Sequence, residues 1–191
     1  MDALILNGAR DDEDSLADVQ ETLALALQEA RWRVHAIALR SVELAACDGC
    51  LACWTRSPGV CVIDDAGRDI ARRVAQCHLL ALLTPLTFGG YSSTLKRALD
   101  RLLPLVTPFL TRVHGETHRA PRYEQYPTLL AVAVTSGADD ESREAFRDLV
   151  ERNARNFHSP SHESLVVEGS ARPRELRETL RRAVVQISRP A

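Results

Sequence analysis

Four of the chain's five cysteines fall in one stretch, "CDGCLACWTRSPGVC", with spacing C-x2-C-x2-C-x7-C at Cys47, Cys50, Cys53 and Cys61. Cysteines three residues apart share one side of a helical or turning backbone, and the Pro58-Gly59 turn returns a fourth towards them. Four thiolates converging in this way suit tetrahedral zinc or an iron–sulfur cube. Zinc sites more often use two separated C-x2-C pairs, whereas a compact run of three with a near fourth is closer to [4Fe–4S] ligation. An unmetallated loop, with cysteine as a small hydrophobe beside Trp54, is the structural alternative. Disulfides are disfavoured if the protein is cytoplasmic, as the absence of a basic leader or a long apolar run suggests. Cys77, just before an apolar run, reads as a core residue.

A second stretch with chemical potential is "TPLTFGGYSS", residues 84–93. Pro85 stops a strand, Leu86 and Thr87 lead into a turn, and Gly89 and Gly90 allow positive φ and close approach to a flat ligand. Phe88 and Tyr91 offer apolar surface, and the turn's free N–H groups can bond the edge of a heterocycle. "TSGADD", residues 135–140, adds Ser136 and Gly137 as further lining, with Asp139 or Asp140 capping the next helix. His114 and His118 are four apart, but Gly115 between them weakens a helical metal pair. Arg112, Arg119 and Arg122 on the same segment suit either a nicotinamide cofactor's phosphates, a neighbouring subunit's acids, or solvent. No Ser-His-Asp or Cys-His nucleophile signature stands out, which agrees with chemistry carried by a cofactor and with no catalytic side chain.

These stretches are connected by alternating strand and helix patterns. Apolar runs at 3–8, 33–39, 78–85, 128–136 and 163–169 read as strands. Helical spacing covers a segment opened by Ser15 and running to about residue 31, then 66–76, 93–104, 139–157 and 173–188. Strands that alternate with helices imply a parallel sheet covered on both faces. Five such units predict a flavodoxin-like three-layer α/β sandwich with strand order 2-1-3-4-5, as a single domain over 1–191. Residues 105–127, with Pro108, Gly115 and Pro121, read as an irregular insertion, a lid or an oligomer-contact arm. In this fold ligands bind beyond the carboxyl ends of the strands where the order reverses, which is where residues 7–15 and 84–93 fall.

The net charge of −2 over 191 residues gives no electrostatic reason to expect nucleic acid or an anionic membrane as a partner.

"TPLTFGGYSSTLKRALDR" resembles the flavin-ring loop and following helix of the NAD(P)H-dependent FMN reductase-like branch of the flavodoxin-like superfamily. "CDGCLACWTRSPGVCVIDD" resembles the stretch after the second strand in those proteins and in the iron–sulfur flavoproteins among them. The resemblance implies FMN against Pro85–Tyr91, reduction by NAD(P)H, and a homodimer or homotetramer with the flavin near a subunit boundary. It also implies [4Fe–4S] ligation at Cys47, Cys50, Cys53 and Cys61.

The first loop departs from the family's pattern. Asn7, Gly8, Arg10 and Ser15 suit a phosphate at a helix N-terminus. Between Arg10 and Ser15 stand Asp11, Asp12, Glu13 and Asp14. A carboxylate ~5 Å from a phosphate costs roughly 1 kcal/mol even at the dielectric constant of water. Three functions therefore compete: an FMN-dependent NAD(P)H oxidoreductase with a small acceptor, an iron–sulfur/flavin electron carrier, and a non-enzymatic relative whose phosphate site is lost.

Overall fold

The computed structural model describes residues 1–10, 16–113 and 115–188. Strands β1 (Asp2–Asn7), β2 (Arg33–Ala38), β3 (Leu79–Pro85), β6 (Thr128–Thr135) and β7 (His162–Glu168) form a parallel sheet in the order β2-β1-β3-β6-β7. Numbered among the sheet strands alone, this is the expected 2-1-3-4-5. Helices α1 (Ala17–Glu29) and α6 (Pro173–Ile187) cover one face, and α3 (Ala66–Gln76), α4 (Ser93–Asp100) and α5 (Asp140–Asn156) cover the other.

The central strands are apolar throughout because both faces are covered. Alternation along them divides the core in two. Ile5, Leu83 and Val132 meet Leu23 and Leu180 on one side, while Leu6, Leu82 and Ala131 meet Ile70, Leu95 and Phe146 on the other. Caps start the helices where the site loops end. Asp65 accepts from the Gly67 N–H at 2.9 Å, Ser92 from the Leu95 N–H at 3.1 Å, and Asp139 from the Ser142 N–H at 2.7 Å. The Ser15 start expected for α1 lies outside the described residues. Among those described, no helix is long and apolar enough to cross a membrane.

The insertion is not irregular. It folds as an antiparallel hairpin of β4 (Val106–Val113) and β5 (Glu116–Pro121), turning at Gly115 with φ +83°. Pro108 sits where the register shifts between Val106 and Leu110, and Pro121 ends β5. An isolated pair has two open edges, so these prolines interrupt no interior ladder. Helix α4 also stops earlier than its pattern suggests, followed by a 3-10 turn over Leu103–Leu105 that contains Pro104.

Candidate functional site

The loops after β1 and β3 are bound together at the carboxyl edge of the sheet. The Gly8 N–H donates to the Leu83 carbonyl at 2.8 Å. The Ser92 hydroxyl, fully buried, donates to the Gly8 carbonyl at 2.6 Å while capping α4. A Cβ on Gly8 would stand 2.5 Å from Leu95 Cβ, so only glycine allows this approach. Asn7 shapes the same bend: its Oδ1 accepts the Ala9 N–H at 2.8 Å, and its amide donates to Gln20 Oε1 at 2.9 Å. Arg10 is exposed at the lip of this edge, and its carbonyl accepts from Arg40 at 3.3 Å. Asp11, Asp12, Glu13, Asp14 and Ser15 lie outside the described residues.

Beyond β3 the chain makes a tight turn. Leu86 donates to the Val134 carbonyl at 2.8 Å, and Thr87 and Gly90 exchange backbone bonds of 3.0 and 2.8 Å. Between them Phe88 (φ +48°) and Gly89 (φ +73°) are both left-handed, as in a two-residue type I′ turn. A Cβ on Gly89 would lie 2.9 Å from Ala145 Cβ, so the turn rests on α5. Phe88 alone points away and is fully exposed, 103% relative to a free side chain. Pro85 is buried, and Leu86 packs beneath it in the α3–α5 core. Ser136 and Gly137 follow β6 at this edge, with Gly137 at φ +133° and open space at its Cβ position.

Tyr91 is placed differently from its neighbours. Its ring stands edge-on to Phe146 at 5.8 Å, and its hydroxyl accepts from Asn153 at 3.1 Å. Burial pushes its pKa up to about 12, with the Asn153 hydrogen bond acting in the opposite direction. The structure thus gathers Gly8–Arg10, Pro85–Gly90 and Ser136–Gly137 at one edge and turns the Tyr91 side chain towards α5.

The cysteine loop joins β2 to α3, so it too emerges at the carboxyl edge. Gly49 (φ +66°) and Leu51 (φ +58°) break the backbone, and only Ala52–Thr55 forms a short helix, α2. Cys47 and Cys50 therefore do not share one helical face with Cys53. Cys47 and Cys50 are exposed, Cys53 is buried and Cys61 is half-buried. The Gly59 N–H donates to the Cys53 carbonyl at 2.9 Å, returning the chain towards Cys61, whose own carbonyl accepts from Arg68 at 2.7 Å. Trp54 anchors the loop by donating to the Val106 carbonyl at 3.0 Å, with the Arg119 guanidinium 4.8 Å over its ring.

Burial raises the Cys53 pKa, and the charges of Cys61, Cys47 and Cys50 push it further the same way. Among the described residues no three Cys, His, Asp or Glu side chains are placed to hold an ion. Four soft thiols in one loop fit a thiolate-held centre in donor chemistry. Cys77 is separate. Its thiol donates to the Val74 carbonyl at 3.4 Å, and burial pushes its pKa up to about 12, as befits a core thiol.

Of the arginines on this segment, Arg119 and Arg122 are turned onto the chain itself, while Arg112 is exposed. Arg119 donates to the Pro108 carbonyl at 2.6 Å, and Arg122 to the Pro104 and Val106 carbonyls at 2.8 and 3.2 Å. His118 lies between Asn156 Oδ1 at 3.0 Å and Glu116 Oε2 at 3.2 Å. His114, its suggested metal partner, lies outside the described residues.

Sequence reasoning missed Ser92, which ties the two loops, and Arg101, which grips the base of the cysteine loop. The signal for Arg101 was an arginine among Leu95, Ala98, Leu99 and Leu102 on the apolar face of its helix, where a charge needs a buried partner.

The family model for NADPH-dependent FMN reductase matches residues 1–151. An iron–sulfur flavoprotein of Methanocaldococcus jannaschii is 33% identical over 87 residues, 46% of this chain and 44% of that relative, so the match spans less than half of it. Among solved structures, an NAD(P)H:quinone oxidoreductase from Methanothermobacter marburgensis superposes with a TM-score of 0.74 at 14% identity, covering 100% of this chain and 98% of that one. An FMN-dependent NADH-azoreductase from Bacillus anthracis, solved in complex with FMN, superposes with a TM-score of 0.69 at 12% identity, covering 99% and 100%. At these identities the two structures establish the shared fold.

Proposed function

The chain belongs to the NADPH-dependent FMN reductase family, and from that premise we propose that it is an FMN-dependent NAD(P)H oxidoreductase serving a small electron acceptor. The observation that carries this reading is the Thr87–Gly90 turn: two left-handed residues at the switch point hold Phe88 wholly exposed. A flavin ring lying here would cover Phe88, which otherwise stays in water at a cost of apolar hydration. The central N–H groups of the turn would bond the ring's polar edge, and Pro85–Gly90 with Ser136 and Gly137 would line it. Arg10, exposed at the lip of the same edge, would face the phosphate. Bound FMN supplies hydride acceptance and one-electron transfer; the protein's part is to orient the ring and leave one face open to the nicotinamide. Exposed Phe109 and Leu110 on the hairpin, with Phe88, favour a homodimer or homotetramer that covers them.

A second centre is favoured by the position of the cysteine loop on the same edge. Cys47, Cys50, Cys53 and Cys61 would ligate a [4Fe–4S] cluster, and such a cluster adds one-electron transfer to or from the flavin site.

The test is anaerobic titration of the purified protein with FMN, followed by NADPH and NADH. Quenching of flavin fluorescence on binding and bleaching of the bound flavin by either nicotinamide are expected. A protein that takes up no added FMN overturns the oxidoreductase reading and leaves a relative that has lost its phosphate site.

A further inference from the structure

Arg101, just past α4, is 1% exposed, the one buried charged residue among those described. It joins the two ends of the cysteine loop. One terminal nitrogen donates to the Ala45 carbonyl at 2.9 Å and to Asp65 Oδ2 at 2.8 Å; the other donates to the Ile63 carbonyl at 3.2 Å and to Asp65 Oδ1 at 2.7 Å. Asp65 completes the closure by accepting the Ala45 N–H at 2.8 Å. Residues 45–65 thus form a closed ring of chain, and all four clustered cysteines lie inside it.

The surroundings are built for the guanidinium. A Cβ on Gly67 would lie 2.8 Å from its central carbon, so the first turn of α3 carries glycine where alanine would favour the helix. The Arg101 Nε–H is buried without a hydrogen-bond partner. A planar fork can meet a carboxylate and two carbonyls at once, which an ammonium cannot. A buried ion pair is a poor source of stability compared with apolar packing, and what it supplies is fixed geometry.

We propose that Arg101 is the positioning residue of the cysteine centre: with Asp65 it pins together the two ends of the loop that carries Cys47, Cys50, Cys53 and Cys61, the frame on which that loop closes around a cluster, and its charge offsets that cluster's anionic charge. This rests on the reading of those cysteines as cluster ligands.

The test is anaerobic reconstitution of the full chain with ferrous iron and sulfide. Iron and sulfide content, loss of iron to a chelator and the cluster's reduction potential are then measured. Arg101→Met removes clamp and charge, Arg101→Lys keeps only the charge, and Gly67→Ala pushes on the guanidinium while keeping both. Iron should leave Arg101→Met and Arg101→Lys roughly tenfold faster than wild type or more, the range for lost outer-shell contacts. The potential should fall in Arg101→Met and return towards wild type in Arg101→Lys, because a neighbouring cation favours the reduced, more negative cluster. Gly67→Ala should lose iron at an intermediate rate with FMN binding unchanged.

Wild-type retention and potential in Arg101→Met overturn the proposal. Should that variant not fold, wild-type iron retention in both Arg101→Lys and Gly67→Ala overturns it equally. If wild type takes up no iron and sulfide, or Cys61→Ala takes up as much, the ligand reading falls and the proposal with it; a loaded wild type beside unaffected arginine variants removes the proposal alone.

Discussion

Arg101 and Asp65 meet in a two-pronged ion pair at 2.7 and 2.8 Å, their side chains 1% and 8% exposed. The Arg101 hydrogen bonds hold the Asp65 pKa down to about 2, aided by the Ala45 and Gly67 N–H groups against the cost of burial. The depression from 3.8 corresponds to about 2 kcal/mol of folding stability. A lowered carboxylate pKa stabilises the fold above the unfolded value and is lost as pH falls through the folded one. Urea unfolding should therefore show a loss of about 2 kcal/mol between roughly pH 4 and pH 2 that Asp65→Asn no longer shows. At neutral pH Asp65→Asn should cost about 3–5 kcal/mol, because Arg101 is left buried without its counterion. Equal stability of the two proteins at pH 7 would contradict the pairing.

Ser92 and Gly8 carry the second expectation. Ser92→Ala removes both the α4 cap and the donor to the Gly8 carbonyl, so a loss of about 1–2 kcal/mol in urea unfolding is expected. Gly8→Ala drives a Cβ into Leu95 and Ser92 and should cost about 1–3 kcal/mol. If these two loops hold FMN as proposed, its affinity should fall in both variants, since each loosens the junction between them.

The parallel sheet was readable because β3 and β6 are apolar end to end, which a two-faced core requires, and because each is followed by a helix. The 84–93 turn was readable because two glycines after a strand-stopping proline have few other uses. The hairpin was not, since Pro108 and Pro121 disguise strands that pair only with each other. The Tyr91 side chain was not either: its neighbours in sequence belong to the turn, while its packing partners, Phe146 and Asn153, come from a helix more than fifty residues away. Nor could spacing show that Leu51 takes a left-handed conformation and separates Cys50 from the helix of Cys53.

Phe88 separates stability from binding. It touches little in the chain, so Phe88→Ala should leave urea unfolding of the FMN-free protein within about 0.5 kcal/mol of wild type. Phe88→Gly should be as stable or better, since glycine takes φ +48° without strain. If the ring is an aromatic face for flavin, both variants should bind FMN roughly three- to tenfold more weakly, the worth of one aromatic contact. Unchanged FMN affinity would place the flavin elsewhere or reserve Phe88 for a subunit contact.

Tyr91 tests the same boundary from the other side. Tyr91→Phe keeps the edge-on contact with Phe146 but strips the Asn153 amide of its acceptor, so a stability loss of about 1 kcal/mol is expected. FMN affinity should stay at the wild-type value, because the hydroxyl lies against α5. A large loss of FMN affinity without a loss of stability would return the Tyr91 side chain to the cofactor site.

Glu116 joins the hairpin to α5. Its carboxylate takes Arg152, takes Arg155 at 2.9 Å, and meets His118 at 3.2 Å, so it fastens strand β5 to the helix beside the His118–Asn156 contact. Arg152 is the largest cause holding its pKa down to about 2, with Arg155 and His118 acting the same way against desolvation. The fastening is therefore complete above about pH 4.5 and released as pH falls towards 2. Glu116→Gln should imitate the acid state at neutral pH, leaving two arginines facing each other without a charge between them. Amide hydrogen exchange should then quicken across Val106–Val113 and Glu116–Pro121 while the central strands β3 and β6 keep their protection. Exchange that quickens throughout the sheet would mean that the hairpin is part of the cooperative core, and exchange that changes nowhere would mean that the Arg119–Trp54 stacking and the Arg122 hydrogen bonds hold it without Glu116.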